Sequence, residues 1–130
     1  MSAQANEDQA DRGADRTAAG TNEVLLRGRL SGAPEERVLP SGDTMWTFRV
    51  VVGRPPEPPA AGARRARVDT LECAVWSGRV KRSVPTWHDG DVVEVSGALR
   101  RRFFKSAGAT VSRVEVDVAR GKVIRRAASG

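Results

Sequence analysis

Residues 90–105 read GDVVEVSGALRRRFFK, and the fold is decided in this run. Val93, Val95, Gly97 and Leu99 recur at every second position, while Glu94, Ser96, Ala98, Arg100, Arg102 and Phe104 occupy the other parity. Side chains of an extended strand alternate between the two sides of its sheet, so this period of two predicts a half-buried strand with the valine set turned to a core. Two arginines and a phenyl ring then share the side that faces water. Residues 106–110 read as the tip of a hairpin that carries Arg100, Arg102, Phe103, Phe104 and Lys105 beyond the body of the fold.

The same alternation recurs on both sides of the run. Val24, Leu26, Gly28 and Leu30 form the inward set of a first strand, with Leu25, Arg27 and Arg29 outward. A short strand is expected around residues 37–39, bracketed by turns at residues 31–34 and at Pro40-Ser41-Gly42-Asp43. Trp46, Phe48, Val50 and Val52 share the inward face of the next strand, and Thr47, Arg49 and Val51 the opposite one. In residues 69–76, Leu71, Cys73 and Val75 point one way and Thr70, Glu72, Ala74 and Trp76 the other, which places the Trp76 indole on a wet face and marks it as a contact residue. A last strand is expected over residues 111–119.

Between these strands, residues 53–66 hold Pro55, Pro56, Pro58 and Pro59 followed by Arg64 and Arg65, with Arg67 just beyond. That composition forbids a central strand and predicts a long basic loop. A short helix is expected over residues 78–84, ended by Pro85. Five main strands with a helix between the third and fourth predict an all-β OB-fold, a five-stranded Greek-key barrel. Residues 1–21 have no sustained apolar pattern and read as a disordered leader, residues 22–124 as the folded domain, and residues 125–130 as a short basic tail.

Charge narrows the partners. The chain of 130 residues has 22 Lys and Arg against 16 Asp and Glu, a net charge of +6. Residues 1–22 are net acidic, which concentrates the positive excess in the folded part. Such a domain attracts polyanions, although an arginine-rich surface also serves plain solubility. The only cysteine, Cys73, has inward parity, so neither an internal disulfide nor a cysteine-based zinc site is expected. One histidine, His88, sits in a turn, and no nucleophile–base constellation stands out, so an enzyme, a metal and any other cofactor are not expected. No signal peptide or membrane span is read, and a cytoplasmic protein without a small-molecule substrate is expected.

Interleaved arginines and outward aromatics suit a single strand, because guanidinium groups follow the phosphates while unstacked bases lie on aromatic rings. No helix carries the residues that read base edges in a duplex. The nucleic-acid-binding residues expected on these grounds are Trp76, Phe103, Phe104, Arg49, Arg64, Arg65, Arg67, Arg100, Arg102 and Lys105. An OB-type protein-interaction or primosome-like subunit, and single-stranded RNA binding, are the competing readings.

With those residues in view, the stretch from Asn22 to about Ile124 resembles the bacterial single-stranded DNA-binding protein family. The resemblance rests on residues 22–30, on Pro34-Glu35 with Arg37, on Pro40-Ser41-Gly42, on the strand ending in Trp76 and on residues 90–100. It implies single-stranded DNA as partner, sequence-independent protection of DNA in replication, repair or recombination, a homo-oligomer (dimer or tetramer) to which outward Leu25 is suited, and base stacking on Trp76 and Phe104. Two departures stand out. Other stacking tryptophans of that family fall near Pro55 and at Thr70 here, and the chain ends in Arg125-Arg126-Ala127-Ala128-Ser129-Gly130 where the family has an acidic tail. A short actinobacterial-type paralogue lacking the tail is therefore expected.

Overall fold

The computed structural model describes residues 20–55 and 67–128. The expected leader up to residue 19, the loop arginines Arg64 and Arg65, and the last two residues lie outside them. Among the described residues the order is β1 (Val24–Leu30), β2 (Glu35–Val38), β3 (Thr44–Gly53), β4 (Val68–Val75), α1 (Val80–Ser83) with a following 3-10 turn (Val84–Thr86), β5 (Val92–Ser106) and β6 (Ala109–Arg125).

Pairing closes these strands into a ring. β1 runs antiparallel to β5 from Val24↔Gly97 to Arg29↔Val92, and at its far end meets β3 through Arg29↔Val51 and Leu30↔Val50. β3 pairs with β4, β4 runs parallel to β6 at Cys73↔Val116, and β6 pairs with β5. β2 is an extra edge on β3. Five main strands with a helix between the third and fourth make this the OB-fold barrel that strand count and spacing anticipate.

Closure requires strands to bend sharply where their neighbours cross them. At Gly28 a Cβ would run into the Val51 carbonyl oxygen, and at Gly97 into that of Asp117, so only glycine admits the approach. Gly97 also lies at a register irregularity, where Ser96↔Arg120 is followed by Gly97↔Val118. The inward parity of the strands supplies the core cluster: Leu30, Phe48, Val50, Val75, Val93 and Val95 are buried, joined by Val116 and Val118, while Val51 and Ala74, expected on the outward face, are buried as well. Helix α1 and its 3-10 turn add Val80, Val84 and Trp87, whose indole meets Phe48 edge-on at 5.3 Å between ring centroids. Pro85 sits at the start of the 3-10 turn, where its missing N–H costs nothing, and the α-helical turn is correspondingly shorter than residues 78–84.

Two expectations change beyond Gly97. Leu99 has inward parity and lies opposite the buried Val116, yet is 46% exposed: β1 pairs with β5 only as far as Gly97, and beyond it β5 has β6 alone as a paired neighbour. β6 is also longer than residues 111–119: it begins at the arm's tip and ends at Arg125.

Where β6 ends, the chain is clasped to the barrel. Asp91 is buried, and its carboxylate accepts from the backbone N–H of His88 (2.9 Å) and Ala127 (2.8 Å) and from the Arg126 guanidinium (2.9 Å), which also donates to the Thr86 carbonyl. Burial pushes the Asp91 carboxyl up, but those three donors outweigh it and hold its pKa below the ordinary 3.8. A carboxyl with a depressed folded pKa stabilises the fold fully above its unfolded value, and that contribution fades as pH falls through the folded one. Asp91→Asn is expected to lower stability at pH 7 by about 1–3 kcal/mol. Thermal melts across pH should show the gap to wild type closing as the pH drops below 3.8.

Candidate nucleic-acid interface

The alternation that fills the core leaves a second, outward face on β2, β3, β4, β6 and β5. Across the β3–β4 ladder Thr47 lies opposite Ala74 and Arg49 opposite Glu72, and Arg100, Arg102 and Phe104 of β5 pair with Glu115, Arg113 and Val111 of β6. Partners directly opposite in a ladder point to the same side. This face carries a groove of linked clefts. One of about 320 Å³ is lined by Trp76, Phe104, Arg102, Arg113, Glu72 and Glu115 among others. A second of about 410 Å³ shares Arg37, Thr47, Glu72 and Arg113 with it and reaches Arg49. A third, on the other side of Trp76, is lined by Arg100 and Asp117.

Trp76 stands at the junction. It follows the last residue of β4 on the Glu72–Ala74 parity, as expected, but it is half-buried because the Arg102 guanidinium lies over its ring at 4.4 Å from the centroid. Arg102 in turn donates from Nε to Glu115 Oε2 at 2.6 Å. Indole, guanidinium and carboxylate are thus linked in one chain of contacts, and the Trp76 Nε1 is left buried without a hydrogen-bond partner among the described residues. Phe104 is 39% exposed, with the Arg113 guanidinium 5.3 Å from its ring centroid.

Among the described residues, carboxylates meet three of the expected arginines. Arg49 pairs with Glu72 at 2.7 Å and Arg100 with Asp117 at 3.4 Å, besides Arg102 with Glu115. Arg37 and Arg113 line the groove with no carboxylate partner among the described residues. Cys73 lies beneath the groove, and burial, with the Glu72 and Glu115 charges adding, pushes its thiol up to about 12.

Of the residues expected from sequence, Trp76, Phe104, Arg49, Arg100 and Arg102 come together here. Phe103 does not: it is 67% exposed but pairs with Ser112 on the reverse of the arm, alongside Leu99 and Arg101. Lys105 is exposed near the arm's tip and Arg67 next to β4, and neither lines the clefts. Arg113 and Arg37 were missed. Arg113 enters only through the β5–β6 register, which sets it opposite Arg102, and no motif in the sequence announces that pairing.

Comparison with known proteins bears on the family and the barrel. A family model described as the single-strand binding protein family matches residues 21–124. A single-stranded DNA-binding protein 3 of Listeria innocua is 30% identical over 84 residues, covering 65% of this chain and 51% of the relative. A single-stranded DNA-binding protein of Oceanobacillus iheyensis is 32% identical over 96 residues, covering 73% and 58%. The chain thus spans somewhat over half the length of these relatives. Among solved structures, a Plasmodium falciparum SSB complex with ssDNA superposes with a TM-score of 0.67 at 19% identity, covering 82% of this chain and 95% of that one, and shares the barrel.

Since thiolate is the reactive form, Cys73 is expected to be silent to a disulfide-exchange reagent in the native protein at pH 8. It should react at the ordinary rate once the chain is unfolded, as absorbance of the released thiol will show.

Proposed function

The chain belongs to the single-strand binding protein family, and from that premise we propose that it binds single-stranded DNA without sequence preference, through the outward groove. The observation that carries the reading is the placement of Trp76 and Phe104, the aromatic rings of the groove, among five arginines on one sheet face. Bases stack on rings at about 1–3 kcal/mol each, whatever their identity, while guanidinium groups hold the phosphates. DNA as the partner puts its work at the nucleoid in the cytoplasm, protecting strands exposed in replication, repair or recombination.

The reading is one of binding rather than catalysis. Each carboxylate facing Trp76 is engaged by an arginine, and the thiol below is held protonated. A homo-oligomer fits β1, whose residues 24–28 pair on the β5 side alone and whose outward Leu25 is 69% exposed. A second copy could add to that open edge.

Tryptophan fluorescence titrated with oligo-dT tests the reading. Trp87 is sealed in the core and Trp46 packs against it, so quenching should come from Trp76 and vanish in Trp76→Phe. Absence of quenching together with absence of a mobility shift would remove single-stranded DNA as the ligand. RNA of matched sequence, run as competitor, measures the preference between the two backbones.

The two neighbouring phenylalanines provide a sharper test of which face is used. Phe104→Ala should weaken oligo-dT binding about tenfold, the equivalent of one lost stacking contact. Phe103→Ala, on the reverse of the arm, should leave the dissociation constant unchanged.

A further inference from the structure

The groove holds less positive charge than the chain's composition suggests. Its lining counts five arginines (Arg37, Arg49, Arg100, Arg102 and Arg113) against four carboxylates, and three of those arginines are each held by one of the acids. A phosphate entering beside Arg49, Arg100 or Arg102 meets a guanidinium whose charge a carboxylate already offsets, and that carboxylate repels it. Arg37 and Arg113 alone offer guanidinium groups with no acid partner among the described residues.

We propose that Glu72, Glu115 and Asp117 are the specificity-determining residues of the groove, tuned against polyanions that bring charge without free bases. The proposal rests on the single-strand reading above. Taking a phosphate in place of a carboxylate exchanges one ion pair for another and gains little, so charge alone does not hold a ligand. A single strand also lays bases on Trp76 and Phe104, and that added contact decides in its favour. Inorganic polyphosphate has no ring to stack, and duplex DNA has already stacked its own. Selection here combines a built-in repulsive element, which works against any polyanion, with the stacking that only the right ligand gains.

Glu72 and Asp117 are the more exposed of the three acids, and Glu115, at 11%, the most enclosed, so the double variant Glu72→Gln/Asp117→Asn frees Arg49 and Arg100 with the least risk to folding. Thermal melts confirm its fold. Glu94→Gln is the control: it removes one negative charge and frees Arg27 at the β1–β5 ladder, outside the groove. Dissociation constants for oligo-dT and for inorganic polyphosphate are measured for wild type and both variants.

In the double variant, polyphosphate should bind about tenfold more tightly, while oligo-dT gains less than about threefold. The log–log salt slope for oligo-dT should steepen by about 0.7 for each freed arginine that takes a phosphate. Glu94→Gln should match wild type in both ligands. Equal gains for the two ligands, no gain for polyphosphate, or an equal gain in Glu94→Gln would overturn the proposal, the last by showing that net charge is responsible. Those results leave the single-strand reading standing, whereas a wild-type protein that ignores oligo-dT sinks both.

Discussion

The β5–β6 ladder is the interaction on which the rest depends. It is one continuous antiparallel pairing from Val92↔Arg125 to Ser106↔Ala109, and it does two jobs along its length. Its first half, as far as Leu99↔Val116, belongs to the closed barrel and buries Val93, Val95, Val116 and Val118; the remainder leaves the barrel as an arm. Because both parts belong to the same ladder, the register that fills the core also fixes which arm residues share a face with Trp76. A slip of one residue would turn Phe104 and Arg102 to the back and bring Phe103 and Arg101 forward. The irregularity at Ser96/Gly97, with the Asp117 carbonyl pressed against Gly97, sits where the β1 pairing of β5 ends.

The groove's electrostatics follow from the same register. Exposed Arg–carboxylate pairs are individually weak, about 0–1 kcal/mol, and contribute little to holding the barrel together. Their effect lies in where they sit. In the Trp76–Arg102–Glu115 cluster the Arg102 guanidinium lies over the indole at 4.4 Å from its centroid and so covers part of the ring. On the proposed reading, a base that takes that side of Trp76 displaces Arg102 or stacks upon it, which draws the Arg102–Glu115 pair into binding.

Much of this was legible in the sequence, because alternation is a local property. The inward sets of β1 and β3, and the outward positions of Trp76, Arg100, Arg102 and Phe104, follow from parity alone. What parity cannot supply is the partner across the ladder. Arg113 belongs to the groove only because it lies opposite Arg102, and the carboxylates that neutralise the arginines come from β4 and β6, remote in sequence from Arg49, Arg100 and Arg102. Nor does parity say where a strand loses a neighbour: Leu99 carries the inward phase of Val93 and Val95 but lies past the end of the β1 pairing, and Phe103 is adjacent to Phe104 yet faces away from it. The Asp91 clasp was equally hidden, since its donors come from residues 88, 126 and 127.

Long-range attraction and local selection are therefore separate properties of this molecule. The net charge of +6 acts beyond the groove and draws any polyanion near, over distances limited to about 8 Å at physiological salt. Inside the groove the margin of arginines over carboxylates is one, and the field that gathers ligands is largely cancelled where they must be held. On the reading proposed above, a site arranged in this way gains little from charge alone, and the contacts that only an unstacked base can make set which polymer stays.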